Sequence, residues 1–524
     1  MTRGPVVIIG GGHNGLATAA LLAKGGVKST VLERRPILGG ASATEELHPG
    51  YKVSSCAHVL GPLRPALVEA LDLDNRGLSF IESEPRLFAP SLDGPGIALW
   101  GDAGRTAFAM RTSAPADADR YPEFHRALGA ISALLGRLLS MTPPDIDRRV
   151  SAELVPLAGV AMGFRGLGRE DAYRLLRFGP MAVADFASEW FASDLMRAIV
   201  CARGIYGTFA GPWSAGTTAN LLFQAAAAGG NGAGSAVQVI GGLGALIDAL
   251  AGIARAAGVD IRVSAEVAEI RVRDGAVTGV VLRGGEEIAA SAVVSSADPH
   301  QTFLRLLDPA VLDPDELRRV QNYRLKGMAS KVNFALSGLP AFRGGSPELL
   351  RGRIHIGAGV DDLERAYDDA KYGGISRRPY LDIVIPSLAD PSLAPPGHHV
   401  LSAYVQYTPY ALREGTWRSR SSELGDIVTR LIEEYAPGFS SLIEHRQVIT
   451  PFDLEQTYGL TGGHPLHGEP SLDQLFLTRP LLGWARYRCP VTGLYMCGAG
   501  THPGGGVTGG PAVNAAREIL KDLG

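Results

Sequence analysis

The first thirty-three residues constrain this chain more than any other stretch. Val6-Val7-Ile8-Ile9 is a continuous apolar run bounded by glycine, as a strand buried on both faces of a parallel sheet would be. Gly10-Gly11-Gly12-His13-Asn14-Gly15 follows at once, and Leu16, Ala19, Ala20 and Ala23 then recur at helical spacing until Gly25-Gly26. Thr30-Val31-Leu32-Glu33 supplies a second strand. The glycines fit G-x-G-x-x-G in its proper context. Gly10 permits the tight turn, Gly12 lets the backbone reach a pyrophosphate, and Gly15 allows helix and strand to pack closely. The phosphates would rest on the free N–H groups that open the helix. Glu33 ends the next strand 18 positions after Gly15, where a carboxylate accepts hydrogen bonds from a ribose. A glutamate there also argues against a 2′-phosphate. The stretch reads as a βαβ dinucleotide-binding unit, with His13 as a positioning residue in the phosphate loop.

At 524 residues the chain exceeds the size at which one core stops growing, so two intertwined domains are expected. A second organised block runs from Val237 to Asp298. Within it Leu243, Ile247, Leu250, Ile253 and Ala257 trace a helix that stops at Gly258. Val267 to Arg273 and Ala276 to Leu282 alternate as strands joined by the hairpin signal Asp274-Gly275, and Ala292-Val293-Val294 is another buried strand. A third block, Gly493 to Lys521, combines a short strand, a glycine-rich turn and a helix. The predicted fold class is therefore α/β: a Rossmann-like cofactor domain assembled from residues 1–72, 232–304 and 482–524. Two α+β inserts, residues 73–231 and 305–481, form a discontinuous substrate domain. In the first insert, Phe186, Trp190, Phe191, Leu195 and Ile199 keep a helical period, and Trp190 and Trp213 are expected in the core or a pocket wall.

Composition removes several function classes. A net charge of −3 and a pI near 6.5 leave no positive excess for a phosphate backbone, so nucleic acid is not an expected partner. Cys56, Cys201, Cys489 and Cys497 form no CxxC pair, and no HExxH occurs. Redox chemistry must then come from a cofactor, and no metal site is expected. The first strand begins so early that no leader precedes it, which predicts a cytoplasmic protein. No apolar run reaches the roughly eighteen residues of a spanning helix. The nearest approach, Leu154 to Phe164, lies between Glu153 and Arg165 and is followed by Arg169, Arg174 and Arg177. Two readings stand for it: a core helix or loop of the substrate domain, or a peripheral membrane patch whose arginines meet headgroups.

Arg34-Arg35-Pro36-Ile37-Leu38-Gly39-Gly40-Ala41-Ser42 adds a second glycine turn just beyond the acid. The C-terminal Cys497-Gly498-Ala499-Gly500-Thr501-His502-Pro503-Gly504-Gly505-Gly506-Val507-Thr508 places a third at the start of a helix, whose N–H groups suit the charge of a reduced ring. These stretches, together with GGHNGL, TEELHPGYKVS, GLGALIDAL, VVSSADP and HGEPSLDQLF, resemble the phytoene desaturase-like flavoproteins. Within that family the stretches look like the branch called pyridine nucleotide-disulfide oxidoreductase domain-containing protein 2. The resemblance spans nearly the whole chain and implies FAD in a fold of the amine-oxidase type. It implies that Arg35 lies near the FAD, Gly498 and Ala499 near its ribityl and phosphate region, Val267 against adenine with Asp298 nearby, and Gly506 to Thr508 beside the isoalloxazine. The branch name promises more than the residues hold. There is no second G-x-G-x-x-G after a strand and no CxxC, so no NAD(P) domain or redox disulfide is expected. The segment Ala219 to Gln224 departs from the resemblance, which implies histidines there in many members, and reads Ala-Asn-Leu-Leu-Phe-Gln.

Flavin dehydrogenation needs a base or a water path beside the substrate carbon. His502 in the last glycine turn, His58 after Ser54-Ser55-Cys56, and His467 in a His-Gly turn are the candidates, each set against a histidine that merely shapes its loop by bonding carbonyls. Tyr206 and Arg479 are weaker ones. The expected activity is FAD-dependent dehydrogenation or desaturation of a largely apolar substrate, with oxygen, a quinone or a carrier protein as electron acceptor. An amine oxidase, a non-redox FAD-dependent isomerase and a membrane-associated regulatory flavoprotein are the alternatives.

Overall fold

The computed structural model describes residues 4–145, 151–230 and 234–523. The apolar runs at both ends and in the middle of the chain meet in one parallel sheet. Its strand order is Leu494–Met496, Ala292–Ser295, Val6–Ile9, Ser29–Leu32 and Asp260–Arg262. Both faces of the central strands are covered, which is why Val6–Ile9 and Ala292–Val294 are apolar without alternation, whereas the edge strand Asp260–Arg262 is not. Val6, Ile8, Val31 and Val294 face the helices His13–Lys24, Leu243–Ala256 and Gly510–Leu523. Val7, Ile9, Leu32 and Val293 face the hairpin Val267–Leu282, Phe303 and Trp484. The hairpin turns at Asp274 and Gly275, both with positive φ.

A second, seven-stranded sheet is drawn from both inserts. Its centre is Ala329–Leu336, His399–Gln406, Tyr380–Val384 and Arg353–Ile356. Alternate residues point to opposite faces. Val332, Phe334, Leu401, Val405, Leu381 and Ile383 form one apolar layer with the helix Trp417–Tyr435. The other face carries Lys331 opposite Tyr404, Tyr404 opposite Asp382, and Asp382 opposite His355 in register. Those polar side chains are buried as deeply as the apolar ones.

A helical layer completes the molecule, built from Pro115–Ser140, Val183–Trp190, Asp194–Ile205 and Thr217–Ala227 around Tyr121, Phe124, Phe186 and Phe191. The periodic run from Phe186 to Ile199 is not one helix. Buried Asp117 accepts hydrogen bonds from the backbone N–H groups of Ala192 and Ser193 and from the Ser193 hydroxyl, and the chain breaks there into two helices. Trp190 is core, as expected, but Trp213 is 49% exposed and lines neither cavity described below.

The Leu154 to Phe164 run also differs from the core reading. It forms a helix, Ser151–Gly166, on which Val155 is 66% and Met162 68% exposed. The side chains of Glu153 and Leu154 lie outside the described residues. Arg174 is held by Glu123, Glu170 and Asp171, and Arg177 by Glu189. Among the described residues no helix is long and apolar enough to cross a membrane.

Candidate active site

Two cavities meet between the sheets. The first, of about 240 Å³, runs along the C-terminal edge of the parallel sheet and takes in the two N-terminal glycine turns. Those turns are neighbours in space: Gly39 donates its N–H to Gly11 at 2.8 Å. Glu33 stitches them together, one carboxylate oxygen accepting from the Gly11 N–H at 2.7 Å and the other from the Arg35 N–H at 2.8 Å. The glycines differ in purpose. A Cβ on Gly15 would stand 2.0 Å from the Gly10 carbonyl oxygen, so helix and strand could not approach. A Cβ on Gly12 would find only the Gly39 oxygen, at 3.9 Å, and would project into open space. Such a cradle is kept clear for a ligand rather than for the protein. His13 Nε2 and Asn14 Oδ1, both buried beside it, have no protein partner. Burial, and then His467, lower the His13 pKa to about 4. A neutral imidazole and free N–H groups at a helix start suit a pyrophosphate.

The structure gathers most of the sequence candidates on this cavity. Gly10, Gly12, His13 and Asn14 line it, as do Glu33, Arg34 and Arg35, and then Gly39, Gly40, Ala41 and Ser42. From the distant segments come Val267, Ala499, Gly506 and Val507. Arg34 is anchored on the carbonyls of Gln456 and Thr457, and Arg35 on Glu45 and the face of Tyr458. Five candidates fall elsewhere. Gly11 and Gly15 act through backbone packing, as described. Asp298 is fully buried and turned away, accepting from the N–H groups of Gln301 and Thr461, so it orders the loops behind the cavity. Gly498 is pressed on its neighbours, a Cβ there falling 2.3 Å from the Ser296 oxygen. Thr508 lines the second cavity instead.

That second cavity, of about 160 Å³, shares His58, Val59, Tyr206, Leu466 and Gly506 with the first. Leu139, Phe223, Ala227 and Leu475 make much of its wall apolar. The helix Thr217–Ala227 contributes Asn220, Phe223, Gln224 and Ala227.

The three histidine candidates separate here. His502 lines neither cavity. Its Nε2 meets the Leu138 carbonyl at 2.9 Å, its ring packs edge-on against Phe476, and burial pushes its pKa to about 3. It is a loop-shaping residue, and the catalytic expectation for it is set aside. His467 lines the first cavity with Nδ1 unpartnered, held at φ 54° and lowered in pKa by burial. His58 alone touches both cavities. Its Nδ1 lies 2.9 Å from Lys331 Nζ, and its Nε2 lies 3.6 Å from Asp382 Oδ1. Burial, reinforced by Lys331, lowers the His58 pKa to about 4. Burial also lowers Lys331 to about 7. On Asp382 burial acts upward, but Arg353, His58 and Arg203 together hold the carboxyl below its ordinary range. The weaker candidates divide too: Tyr206 stacks on Tyr404 at the junction, whereas Arg479 is fixed by backbone carbonyls.

Lys331, Asp382, Arg203 and Tyr404 were not visible as site residues in the sequence. The available signal was the polar member at every second position of Ser330-Lys331-Val332-Asn333-Phe334 and Leu401-Ser402-Ala403-Tyr404-Val405-Gln406. Alternation of that kind normally marks a strand with one wet face.

Residues 15–520 match the family of flavin containing amine oxidoreductases. Pyridine nucleotide-disulfide oxidoreductase domain-containing protein 2 of Rattus norvegicus is 36% identical over 99% of this chain and 93% of its own length. Phytoene desaturase of Fusarium fujikuroi is 26% identical over 99% of this chain and 90% of its own. Both agree with the resemblance carried by the end motifs. Among solved structures, wild-type putrescine oxidase bound to putrescine superposes with a TM-score of 0.62 at 16% identity, covering 99% of each chain, which establishes the fold and nothing finer. With that family matched over nearly the whole chain and a relative 36% identical at nearly full length, the chain belongs to the flavin-containing amine oxidoreductases and is a flavin-dependent oxidoreductase.

Proposed function

We propose that this enzyme holds FAD in the first cavity and dehydrogenates a largely apolar substrate held in the second. The observation that carries this reading is the junction itself, where His58, Tyr206 and Gly506 belong to both cavities. The residues fit the cofactor. The Gly12 cradle and the N–H groups at the start of His13–Lys24 suit the pyrophosphate, Glu33 a ribose, and Val267 the adenine end. Gly506 and Val507 would then flank the ring. When bound, FAD supplies a two-electron acceptor for hydride.

The chain's own groups manage the proton and the water. His58 is neutral near pH 7, and its contact with Lys331 forms a buried row that ends on Asp382. A proton released at the substrate carbon can pass along this row, because Lys331 titrates near neutrality. Tyr206 and Tyr404, stacked with ring centroids 4.7 Å apart, wall the junction against bulk water. The apolar wall and the phytoene desaturase relative support an apolar substrate. Oxygen, a quinone or a carrier protein would take the electrons onward.

Anaerobic mixing with phytoene and other isoprenoid hydrocarbons tests the reading. Loss of the visible flavin absorbance, with product lighter by two hydrogens, is expected. Bleaching by amines alone would replace the reading with an amine oxidase, and turnover only after chemical reduction, with unchanged product mass, would replace it with an isomerase.

A further inference from the structure

We propose that the second cavity accepts a substrate carrying one carboxylate on its apolar frame, and that Arg203 anchors that carboxylate. The inference rests on the assignment of this cavity to the substrate and narrows the substrate class.

Among the described residues that line the cavity, Arg64, Arg203 and Arg479 are cationic and Asp382 is the one carboxylate. Arg479 is fully committed to the protein, donating to the carbonyls of Leu466, Gly468, Glu469, Gln474 and Ala499. Asp382 is committed too. Its Oδ2 receives Arg353 Nη1 at 2.7 Å, while Arg203 Nη1 stands 3.9 Å from the same oxygen. Arg203 is left with Gln224 Oε1 at 2.9 Å and the face of Tyr206 at 5.4 Å. Its residue surface is only 9% exposed. A guanidinium desolvated to this degree that shares a single carboxylate, at 3.9 Å, with the closer Arg353 is under-compensated, and a ligand anion relieves the cost. Burial, and then neighbouring Arg353, press the Arg203 pKa below its ordinary value, consistent with that deficit.

The site is built rather than incidental. Asn220 donates to the carbonyls of Gly204 and Tyr206, fixing the end of the helix that presents Arg203, and Gln224 steadies the guanidinium from the same facing helix. Gly234 leaves room for the two arginines to lie together, since a Cβ there would fall 3.0 Å from Arg203 Cζ and 3.1 Å from Arg353 Nη2. A planar carboxylate matches the fork edge of a guanidinium and brings the single charge that Arg203 lacks. An ammonium would add to the positive excess, and an alcohol would leave it uncompensated. Phe223, Ala227, Leu139 and Leu475 receive the apolar remainder.

Calorimetric titration of the flavin-loaded protein with decanoate, decanol, decylamine and decyl phosphate tests this directly. Decanoate should bind tightest. Arg203→Met should weaken it roughly 10- to 100-fold, the value of hydrogen bonds to a charged group, while decanol binding changes by less than about threefold. Arg203→Lys, which keeps the charge, should restore part of the affinity and covers the case in which the Met variant does not fold. Decanol or decylamine binding as tightly as decanoate, or an Arg203→Met variant with unchanged decanoate affinity, would overturn the inference; tighter decyl phosphate would overturn its carboxylate specificity. Failure here with hydrocarbons still bleaching the flavin leaves the dehydrogenase reading standing. Carboxylate binding without bleaching by any substrate does the reverse.

Discussion

Gly12→Val separates what the first glycine turn does for the protein from what it does for the cofactor. Gly12 has φ −75° and ψ 172°, an extended conformation that a β-branched residue adopts without strain. Its added Cβ would meet only the Gly39 oxygen at 3.9 Å, an ordinary contact. The apoprotein should therefore keep its stability to within about 1 kcal/mol, with a small gain from the stiffer unfolded chain. The new methyl groups project into the cradle, however, and hold the pyrophosphate away from the helix start. Hydrogen bonds to a charged group contribute about 1.5–3 kcal/mol each. Losing two weakens FAD binding by about 3–6 kcal/mol, roughly 10²- to 10⁴-fold in Kd. Gly15→Ala is the contrasting variant, because its Cβ would lie 2.0 Å from the Gly10 oxygen and must displace backbone. It should lower the apoprotein melting temperature as well as flavin content. The assay is the visible-to-ultraviolet absorbance ratio of each purified variant, a flavin titration of the apoprotein, and thermal unfolding without cofactor. Full flavin occupancy in Gly12→Val, or a large loss of apoprotein stability, would refute the placement of the phosphates.

Three further outcomes are expected. Lys331 is a base whose folded pKa, about 7, lies below its ordinary 10.5, so the unfolded chain binds more protons between those values. Its burial penalty is present in full below pH 7 and is relieved as pH rises, giving stability that climbs by up to about 1.4 kcal/mol per pH unit. Lys331→Met should remove that slope between pH 7 and 9 in denaturant titrations; an unchanged slope would show that Lys331 is not buried as described. His58→Asn should lower the rate of flavin reduction by about 10²- to 10⁴-fold while flavin content stays full, and a rate within threefold of the parent would remove His58 from the proton path. His502→Asn, which loses the Leu138 contact, should cost about 1–2 kcal/mol in stability and leave the pH dependence of flavin reduction unmoved; a lost limb in that profile would restore it as a catalytic candidate.

Most of the glycine-rich half is legible in the sequence, because its signals are local. A strand buried on both faces must be uniformly apolar, and a helix start that meets phosphate must be clear of Cβ atoms; Val6–Ile9, Gly12 and the hairpin at Asp274-Gly275 announce themselves within a few residues. The substrate half was legible only as two inserts. Asp117, in one helix, breaks another more than seventy residues later, and neither sequence window contains both partners. Phe186 to Ile199 therefore read as one helix.

The buried polar face of the second sheet shows the limit most sharply. Lys331, Tyr404, Asp382 and His355 come from four strands, and an alternating polar pattern in each indicates only that one face differs from the other. Whether that face meets water or the interior depends on what packs over it, which is set by the docking of the two sheets. The amino-acid sequence by itself determined a parallel sheet with a glycine-lined cradle at its edge, since steric access and burial act over neighbouring residues. The tertiary structure alone decided that a row of ionisable groups would be desolvated beside that cradle, because desolvation is a property of what surrounds a side chain and not of the strand that carries it.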